Sequence, residues 1–255
     1  MYDAFVRFAE RLADAAAAMI EAGGATGTSM KPDRSFVTEM DLAIEARLRE
    51  MIAAEYPDHG ILGEEFAATR PTAEHVWILD PIDGTAAFVA GMPVYGTLIA
   101  LARNGEPVVG VIHFPATRER WVGAKGRETT LNGQPCQTRR GATLGDAIMS
   151  ASNPDFFGAE EKPVLAALSA ATAWRVYGGA ALSYGRLASG RIDLSLDAGL
   201  KVHDYAAFVP ILEGAGGIIT DWQGRKLTLD SGPRVLAAGD ARRHAAALDL
   251  IRKSA

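Results

Sequence analysis

Trp77-Ile78-Leu79-Asp80-Pro81-Ile82-Asp83-Gly84-Thr85 is an apolar run that ends in two carboxylates three residues apart, followed at once by Gly-Thr. The run reads as a buried strand. In an open α/β sheet, ligands gather beyond the carboxyl ends of strands, so acids at such an end point to a bound charge. The two aspartates offer hard oxygen donors to a divalent cation. Gly84 allows a tight bend and close backbone approach, and Thr85 adds a hydroxyl beside exposed N–H groups. The stretch reads as a magnesium site that handles phosphate, and it needs further ligands from elsewhere in the chain.

At 48% hydrophobic and 22% charged, the 255 residues have the composition of an ordinary globular protein, enough for one large core or two modest ones. A net charge of −5, without a basic block or stripe, argues against a nucleic-acid partner. Cys136 is the single cysteine, which excludes an internal disulfide and a multi-cysteine zinc site and fits a reducing cytoplasm. The first apolar stretch, residues 1–10, carries charges, so neither a signal peptide nor a membrane span is expected. The expectation is a cytoplasmic protein with no membrane partner.

Upstream of the opening stretch, Gly60-Ile61-Leu62-Gly63-Glu64-Glu65 reads as a short strand ending in paired acids. Such a pair could be a solvated loop face. Next to the strand that ends at Asp80, it could instead bring Glu64 to the same cation. Nearer the amino terminus, Phe5, Phe8, Leu12, Ala16 and Met19 recur at helical spacing, and Gly23-Gly24 ends that helix. A second helix follows the Ser35 to Asp41 segment, with Leu42, Ile44, Leu48, Met51 and Ile52 on one face, and stops before Pro57. Thr38-x-x-Asp41 resembles a capping box, so Asp41 has a helix-starting role as the alternative to a place beside the metals. The two are compatible.

Downstream, residues 86–89 read as a short helix whose N-terminus faces the phosphate. Residues 98–102 and 108–113 flank Asn104-Gly105, a hairpin signal. A strand at 120–123 and a turn at Asn132-Gly133 extend an antiparallel sheet to about residue 142. Helix and strand then alternate: strands at 147–150, 174–177 and 192–196 and near 218 and 235, helices at 163–171, 180–188 and 241–251. Asp193 reads as a solvated residue. Asp204 opens an apolar helix expected to run to about Glu213 and to kink at Pro210; its bland role is to complement the helix dipole. The chain thus divides into an N-terminal α+β half, 1–142, carrying metal and phosphate, and an α/β half, 143–255, completing the site and the substrate pocket.

Taken together, Gly63-Glu64-Glu65, Trp77 with Asp80-Pro-Ile-Asp83-Gly-Thr85, Val37-Thr38-x-x-Asp41, and Asp204-x-Ala-Ala followed by Glu-x-Ala-Gly-Gly217 resemble the inositol monophosphatase superfamily of magnesium-dependent, lithium-sensitive phosphatases. The resemblance covers essentially the whole chain. It implies a layered αβαβα sandwich, commonly a homodimer, acting on a small phosphate monoester with two or three Mg2+ per active site. It further implies that Glu64, Asp80 and the Ile82 carbonyl hold one metal and that Asp80, Asp83 and Asp204 hold a second, with Glu64 helping a weak third. Asp41 and Thr85 would orient and deprotonate the attacking water. Gly84 and Thr85, beside Asp83, would bind phosphate through backbone N–H groups. The chemistry agrees: a phosphate monoester is anionic, and cations that neutralise it and acidify water permit in-line displacement with no covalent enzyme intermediate.

Several segments are similar to the histidinol-phosphatase branch, which serves histidine biosynthesis: 56–66, Gly96-Thr-Leu-Ile-Ala-Leu, Tyr177-Gly178-Gly179, Asp197-Ala-Gly-Leu-Lys201 and Thr220-Asp221-Trp222. In that branch an acid follows the Gly-Gly pair and recognises an ammonium group. Here the position is Ala180. Asp197 stands where the branch has glutamate, and His203 where it has an aromatic residue. Gly178, Gly179, Ala180, Asp197 and His203 are the expected substrate-facing residues. Histidinol phosphate is the first expectation and inositol 1-phosphate or a related sugar-alcohol phosphate the second. His203 either contacts substrate or supports Asp204, or it fills the aromatic's space and bonds locally. A phosphatase with an aspartyl nucleophile would need an acid at Pro81, which excludes that mechanism. An inactive metal- or phosphate-binding regulator would be expected to lack a carboxylate of the set, and none is missing.

Overall fold

The structure, a computed structural model, describes residues 2–23, 27–31, 36–141 and 143–254. Gly24 and Ser35 lie outside the described residues, as does Ala142 at the expected boundary between the halves. Helix α1 (Asp3–Ala22) buries Phe8, Leu12, Ala13 and Ala16. An antiparallel pair, β1 (Thr28–Met30) and β2 (Phe36–Thr38), leads into α2 (Glu39–Glu55). On α2 the buried apolar stripe is Met40, Ile44, Leu48 and Ile52. Leu42, expected on that face, is exposed, because two residues beyond Met40 lie about 200° round the helix. Two acids, Asp41 and Glu45, are buried instead.

Next come β3 (Gly60–Gly63), β4 (His75–Asp83), the five-residue helix α3 (Thr85–Val89), β5 (Gly96–Arg103), β6 (Glu106–Phe114), β7 (Glu119–Ala124), β8 (Thr130–Leu131) and β9 (Gln134–Pro135). These strands form one seven-stranded sheet in chain order. The ladder is antiparallel except between β3 and β4, which run parallel with Gly63 opposite Leu79. Asn104 and Gly105 both take positive φ in the β5–β6 turn, as an Asn-Gly hairpin requires.

The second half supplies β10 (Ile148–Ala151), α4 (Lys162–Ala171), β11 (Trp174–Tyr177), α5 (Ala180–Ala188), β12 (Leu194–Asp197), α6 (Val202–Tyr205), α7 (Phe208–Gly214), β13 (Ile218–Asp221), β14 (Val235–Ala238) and α8 (Ala241–Ser254). Its sheet has the order β11-β10-β12-β14-β13, parallel through β12 and antiparallel about β14. The single kinked helix expected from Asp204 to Glu213 is two helices. Pro210 is the third residue of α7, where its missing N–H is tolerated, and the chain breaks just before it.

Helices α1 and α2 pack on one face of the first sheet. Helices α5 and α7 lie between the two sheets, and α4 and α8 cover the far face of the second. The result is the five-layer αβαβα sandwich. The sheets change near residue 142, but a single core joins Ile78, Leu98 and Ile112 to Tyr184, Leu212, Val235 and Ala237. Because the second sheet is covered on both faces, every residue of β12 and β14 is buried. Asp193, expected to be solvated, lies in the bend just before β12 and is fully buried too. It accepts hydrogen bonds from Arg139 Nε (2.8 Å), Arg243 Nη1 (2.6 Å) and the Ile148 N–H (2.8 Å), so its burial is compensated by charge. Among the described residues, no helix is long and apolar enough to cross a membrane.

Candidate active site

In a regular strand, residues i and i+3 point to opposite faces, so Asp80 and Asp83 should not share a site. The β4–β5 register shifts between them. Such an irregularity re-aims a side chain, and it falls at Pro81, which has no N–H to give the ladder. The Pro81 carbonyl instead accepts the Thr97 hydroxyl at 2.8 Å. As a result, Asp80, Asp83 and Asp204 offer carboxylate oxygens all within 4.8 Å of one another. Asp204 arrives on α6, which packs against β4. Its Oδ2 accepts the Lys201 N–H (2.5 Å), and Asp83 Oδ2 accepts the Ala181 N–H (2.8 Å). The helix-starting role of Asp204 and its place in the cluster coexist.

These acids hold their protons unusually well. Burial pushes Asp80 well above the usual carboxylate range, and the charges of Glu64, Asp83, Asp204 and Asp41 push it further. Asp83 is raised to about 7, first by burial, then by Asp204, Glu64 and Asp197, against the opposing Ala181 hydrogen bond. Asp204 is raised by burial and Glu64, with His203 working the other way. Asp80 Oδ1 is buried with no hydrogen-bond partner, although buried polar atoms are nearly always paired. A knot of crowded carboxylates with an orphaned oxygen fits a hard divalent cation: its charge would offset the repulsion, and oxygen is its preferred ligand.

Glu64 sits at the end of β3, and its N–H bonds to the Leu79 carbonyl (3.2 Å), which extends the β3–β4 pairing. Its charge is felt by Asp80, Asp83 and Asp204, but it does not join their three-carboxylate group. Instead Lys31 Nζ bridges Glu64 Oε1 (2.8 Å) and Glu65 Oε1 (2.7 Å). Burial works against the Lys31 charge, yet these two acids outweigh it and hold the ammonium above the usual lysine range.

Asp41 completes the expected capping box. Its Oδ2 accepts the Thr38 N–H (2.7 Å) and hydroxyl (2.5 Å), and its own N–H bonds to Thr38 Oγ1. Its Oδ1 is buried and unpartnered. Burial raises its pKa, and Glu64 adds to this against the Thr38 hydrogen bonds. Ile82 is buried, and its carbonyl accepts the Thr85 hydroxyl at 3.0 Å. Gly84 has φ 80°, and a Cβ there would lie 2.6 Å from the Val94 carbonyl oxygen. Only glycine fits this turn into α3 without strain.

The expected substrate residues fall in one region but differ in availability. Gly178 has φ 78°, and Ala180, unusually for alanine, has φ 43°. The Gly178 N–H bonds to the Ser152 carbonyl, and the next turn delivers the Ala181 N–H to Asp83. Asp197 is only 2% exposed. Its oxygens accept the Ser152 N–H (2.7 Å) and the Tyr184 hydroxyl (2.7 Å). Burial lifts its pKa to about 6 despite those bonds. His203 is buried, with Nε2 3.6 Å from Asp204 Oδ1. Sequence reading missed Lys31, Tyr184, Ser152 and the Ala181 N–H. The last three carried a faint signal, the unusual backbone that a Gly-Gly pair announces; Lys31 carried none.

A sequence model of the inositol monophosphatase family matches residues 1–254. The bifunctional phosphatase IMPL2 of Arabidopsis thaliana is 39% identical over 230 residues, 87% of this chain; the chain spans 66% of that relative's length. A histidinol-phosphatase of Chlorobaculum parvum is 35% identical over 83% of this chain and 82% of its own. The solved structure of an inositol monophosphatase from Zymomonas mobilis superimposes with a TM-score of 0.90 at 40% identity, covering 98% of each chain.

Proposed function

The chain belongs to the inositol monophosphatase family, and from that premise we propose that it is a magnesium-dependent hydrolase of small phosphate monoesters. The observation that carries the proposal is the convergence of Asp80, Asp83 and Asp204 around an unpartnered Asp80 oxygen. Asp80, Asp83 and Asp204 would hold Mg2+, joined by Glu64 and the Ile82 carbonyl. Bound there, the cation would neutralise phosphate charge and make water easier to deprotonate. Asp41, with Oδ2 fixed by Thr38, would aim Oδ1 at the attacking water as a base, and the Thr85 hydroxyl would help to orient that water. Backbone N–H groups at Gly84 and Thr85 would receive the phosphate. The Ala181 hydrogen bond would hold the Asp83 carboxylate in place beside Asp80 and Asp204.

Asp41→Asn separates the two roles of Asp41. The amide oxygen can still accept from the Thr38 N–H, so stability should change by no more than about 1 kcal/mol. Turnover should fall by about a hundredfold, the scale of a lost general base. Thermal melts paired with initial rates decide it: lost stability with rates within threefold of wild type would make Asp41 a helix cap only.

For the leaving group, histidinol phosphate is the first reading, supported by the likeness to IMPL2 and to a histidinol-phosphatase. One observation favours inositol 1-phosphate as the second. Asp197, the carboxylate left to meet an ammonium group once position 180 is alanine, is already engaged by Ser152 and Tyr184. Side-by-side kcat/KM on histidinol phosphate, inositol 1-phosphate and 3′-phosphoadenosine 5′-phosphate tests this. The first reading expects histidinol phosphate to lead by at least about tenfold, roughly 1.4 kcal/mol of transition-state preference. Equal or better efficiency on inositol 1-phosphate would replace it with the second.

A further inference from the structure

Glu45 is the least expected residue near the site. It lies on α2 one turn beyond Asp41, beside the apolar stripe of Met40, Ile44, Leu48 and Ile52, and its side chain is entirely buried. A charge in such a place is costly unless it is paired and hydrogen-bonded. Its pairing is directed at one short segment. Glu45 Oε2 accepts the Glu65 N–H at 2.8 Å, and Oε1 accepts the Phe66 N–H at 3.2 Å. Arg49, one turn further along α2, donates Nε to Glu45 Oε1 (2.7 Å) and Nη2 to the Phe66 carbonyl (3.1 Å).

The fit is close enough to dictate the neighbouring residue. A Cβ on Gly63 would stand 1.9 Å from Glu45 Oε1 and 2.3 Å from its Cδ. Gly63, Glu65 and Phe66 thus wrap the Glu45 carboxylate, while the Glu64 N–H continues the β-ladder to Leu79. Glu64 is consequently held from both sides: by β4, which carries Asp80 and Asp83, and by α2, which carries Asp41.

We propose that Glu45 is a positioning residue that fixes the Gly63–Phe66 turn so that Glu64 faces the cation. The proposal rests on the reading of Glu64 as a cation-facing carboxylate. One helix face then serves two segments of the site: Asp41 stands beside the acids, and Glu45 holds the turn that follows β3. Glu45 touches neither substrate nor cation.

Glutamine at 45 keeps the shape but replaces one acceptor oxygen with an NH2 group, which would oppose either the Glu65 or the Phe66 N–H. It also leaves Arg49 without its counter-charge. The turn should then loosen without any change at Glu64 itself. Groups that support metal-binding side chains in this way typically account for ten- to a hundredfold in metal affinity.

The test is direct Mn2+ binding by calorimetry on folded wild type, Glu45→Gln, Glu64→Gln and the double variant. We expect Glu45→Gln to bind about tenfold more weakly. The double variant should be no more than about twofold weaker than Glu64→Gln alone, because the two residues act as one unit. Wild-type affinity in Glu45→Gln, or losses that multiply in the double variant, would overturn the positioning role even if Glu64→Gln binds weakly. Unchanged binding in Glu64→Gln would instead overturn the reading on which the proposal rests. Should Glu45→Gln fail to fold, Arg49→Gln removes the guanidinium bonds to Glu45 and the Phe66 carbonyl from a partly exposed position, along with those to Thr69 and the Phe66 ring. It should lower affinity in the same direction by about threefold, and no loss there would count against the proposal.

Discussion

Asp80→Asn is expected to lower turnover by at least about a thousandfold while raising the melting temperature of the metal-free protein. The first effect follows from charge. A neutral amide cannot balance a bound cation, and about a thousandfold corresponds to roughly 4 kcal/mol of transition-state stabilisation, within the several kcal/mol that a charge-stabilising metal supplies. The second follows from crowding. Asp80 is buried beside Glu64, Asp83, Asp204 and Asp41, so folding must either protonate it or tolerate repulsion. Asparagine does neither. A gain of about 1–2 kcal/mol would appear as a rise of about 2–8 °C in a protein of this size. Adding Mg2+ should stabilise wild type by mass action and the variant much less. Paired melts in chelator and in Mg2+, with rates at saturating Mg2+, give the answer. Near-normal rates, or a lower melting temperature in chelator, would contradict this account of Asp80. The expected trade is the one that functional sites commonly show, in which local strain is retained because activity requires it.

Why some of this was legible in the sequence and some was not has physical causes. The Asn104-Gly105 turn is decided by two adjacent backbones, so the hairpin could be read locally. The Thr38–Asp41 cap is equally local, and it was found where the spacing put it. Asp80 and Asp83 could be recognised as a pair by residue type, but their common orientation depends on an irregularity in the pairing of β4 with β5, which strand periodicity alone argues against. Asp193 reads as solvated because alternation gives it an outer face, whereas it precedes β12 and is claimed by Arg139 and Arg243 from distant segments. Leu42 lies two residues from both Met40 and Ile44, and so on the far side of α2 from the buried stripe. Pro210 was read as a kink inside one helix, whereas its place in the first turn of α7 made it a boundary. Glu45 and Lys31 are the hardest class. Each acts on a segment distant in sequence, and nothing in its own neighbourhood records the partner. The clustering of Asp80, Asp83 and Asp204 was therefore the readable part of the site, since carboxylates have few other reasons to converge. The leaving-group pocket was not, because there an aspartate's meaning turns on whether Tyr184 and Ser152 have already claimed it.

In the absence of divalent cation, the protein is expected to become more stable as the pH is lowered from about 8 to about 6.5. The sign follows from the shifts. Asp83 titrates near 7 and Asp197 near 6, and Asp80 and Asp204 are raised too, all above the ordinary 3.8. An acid whose folded pKa is raised contributes stability that is complete below its unfolded pKa and is lost as the pH climbs through the folded one. Between 8 and 6.5 the folded carboxylates take up protons that the same groups in the unfolded chain, with a pKa near 3.8, do not. For Asp83 this is worth about 1 kcal/mol, at about 1.4 kcal/mol per tenfold change in proton affinity, and Asp80 acts in the same direction. From about pH 7 downward the histidines oppose the trend, because those of the unfolded chain take up protons around 6.5. Burial pushes His113 down to about 4 and lowers His59 and His244. Histidines kept neutral in this way stabilise the fold above their unfolded pKa and cease to do so as the pH falls through the folded one, so the gain should flatten or reverse. Saturating Mg2+ should abolish the rise between 8 and 6.5, because protons and cation compete for the same oxygens and the cation favours the deprotonated cluster. Asp83→Asn should make the metal-free slope shallower over the same interval. Melting temperatures across pH in chelator and in Mg2+, for wild type and Asp83→Asn, check every part. If the metal-free protein loses stability on going from pH 8 to 6.5, or if its slope is unaffected by Mg2+, the carboxylate cluster is not what sets that dependence.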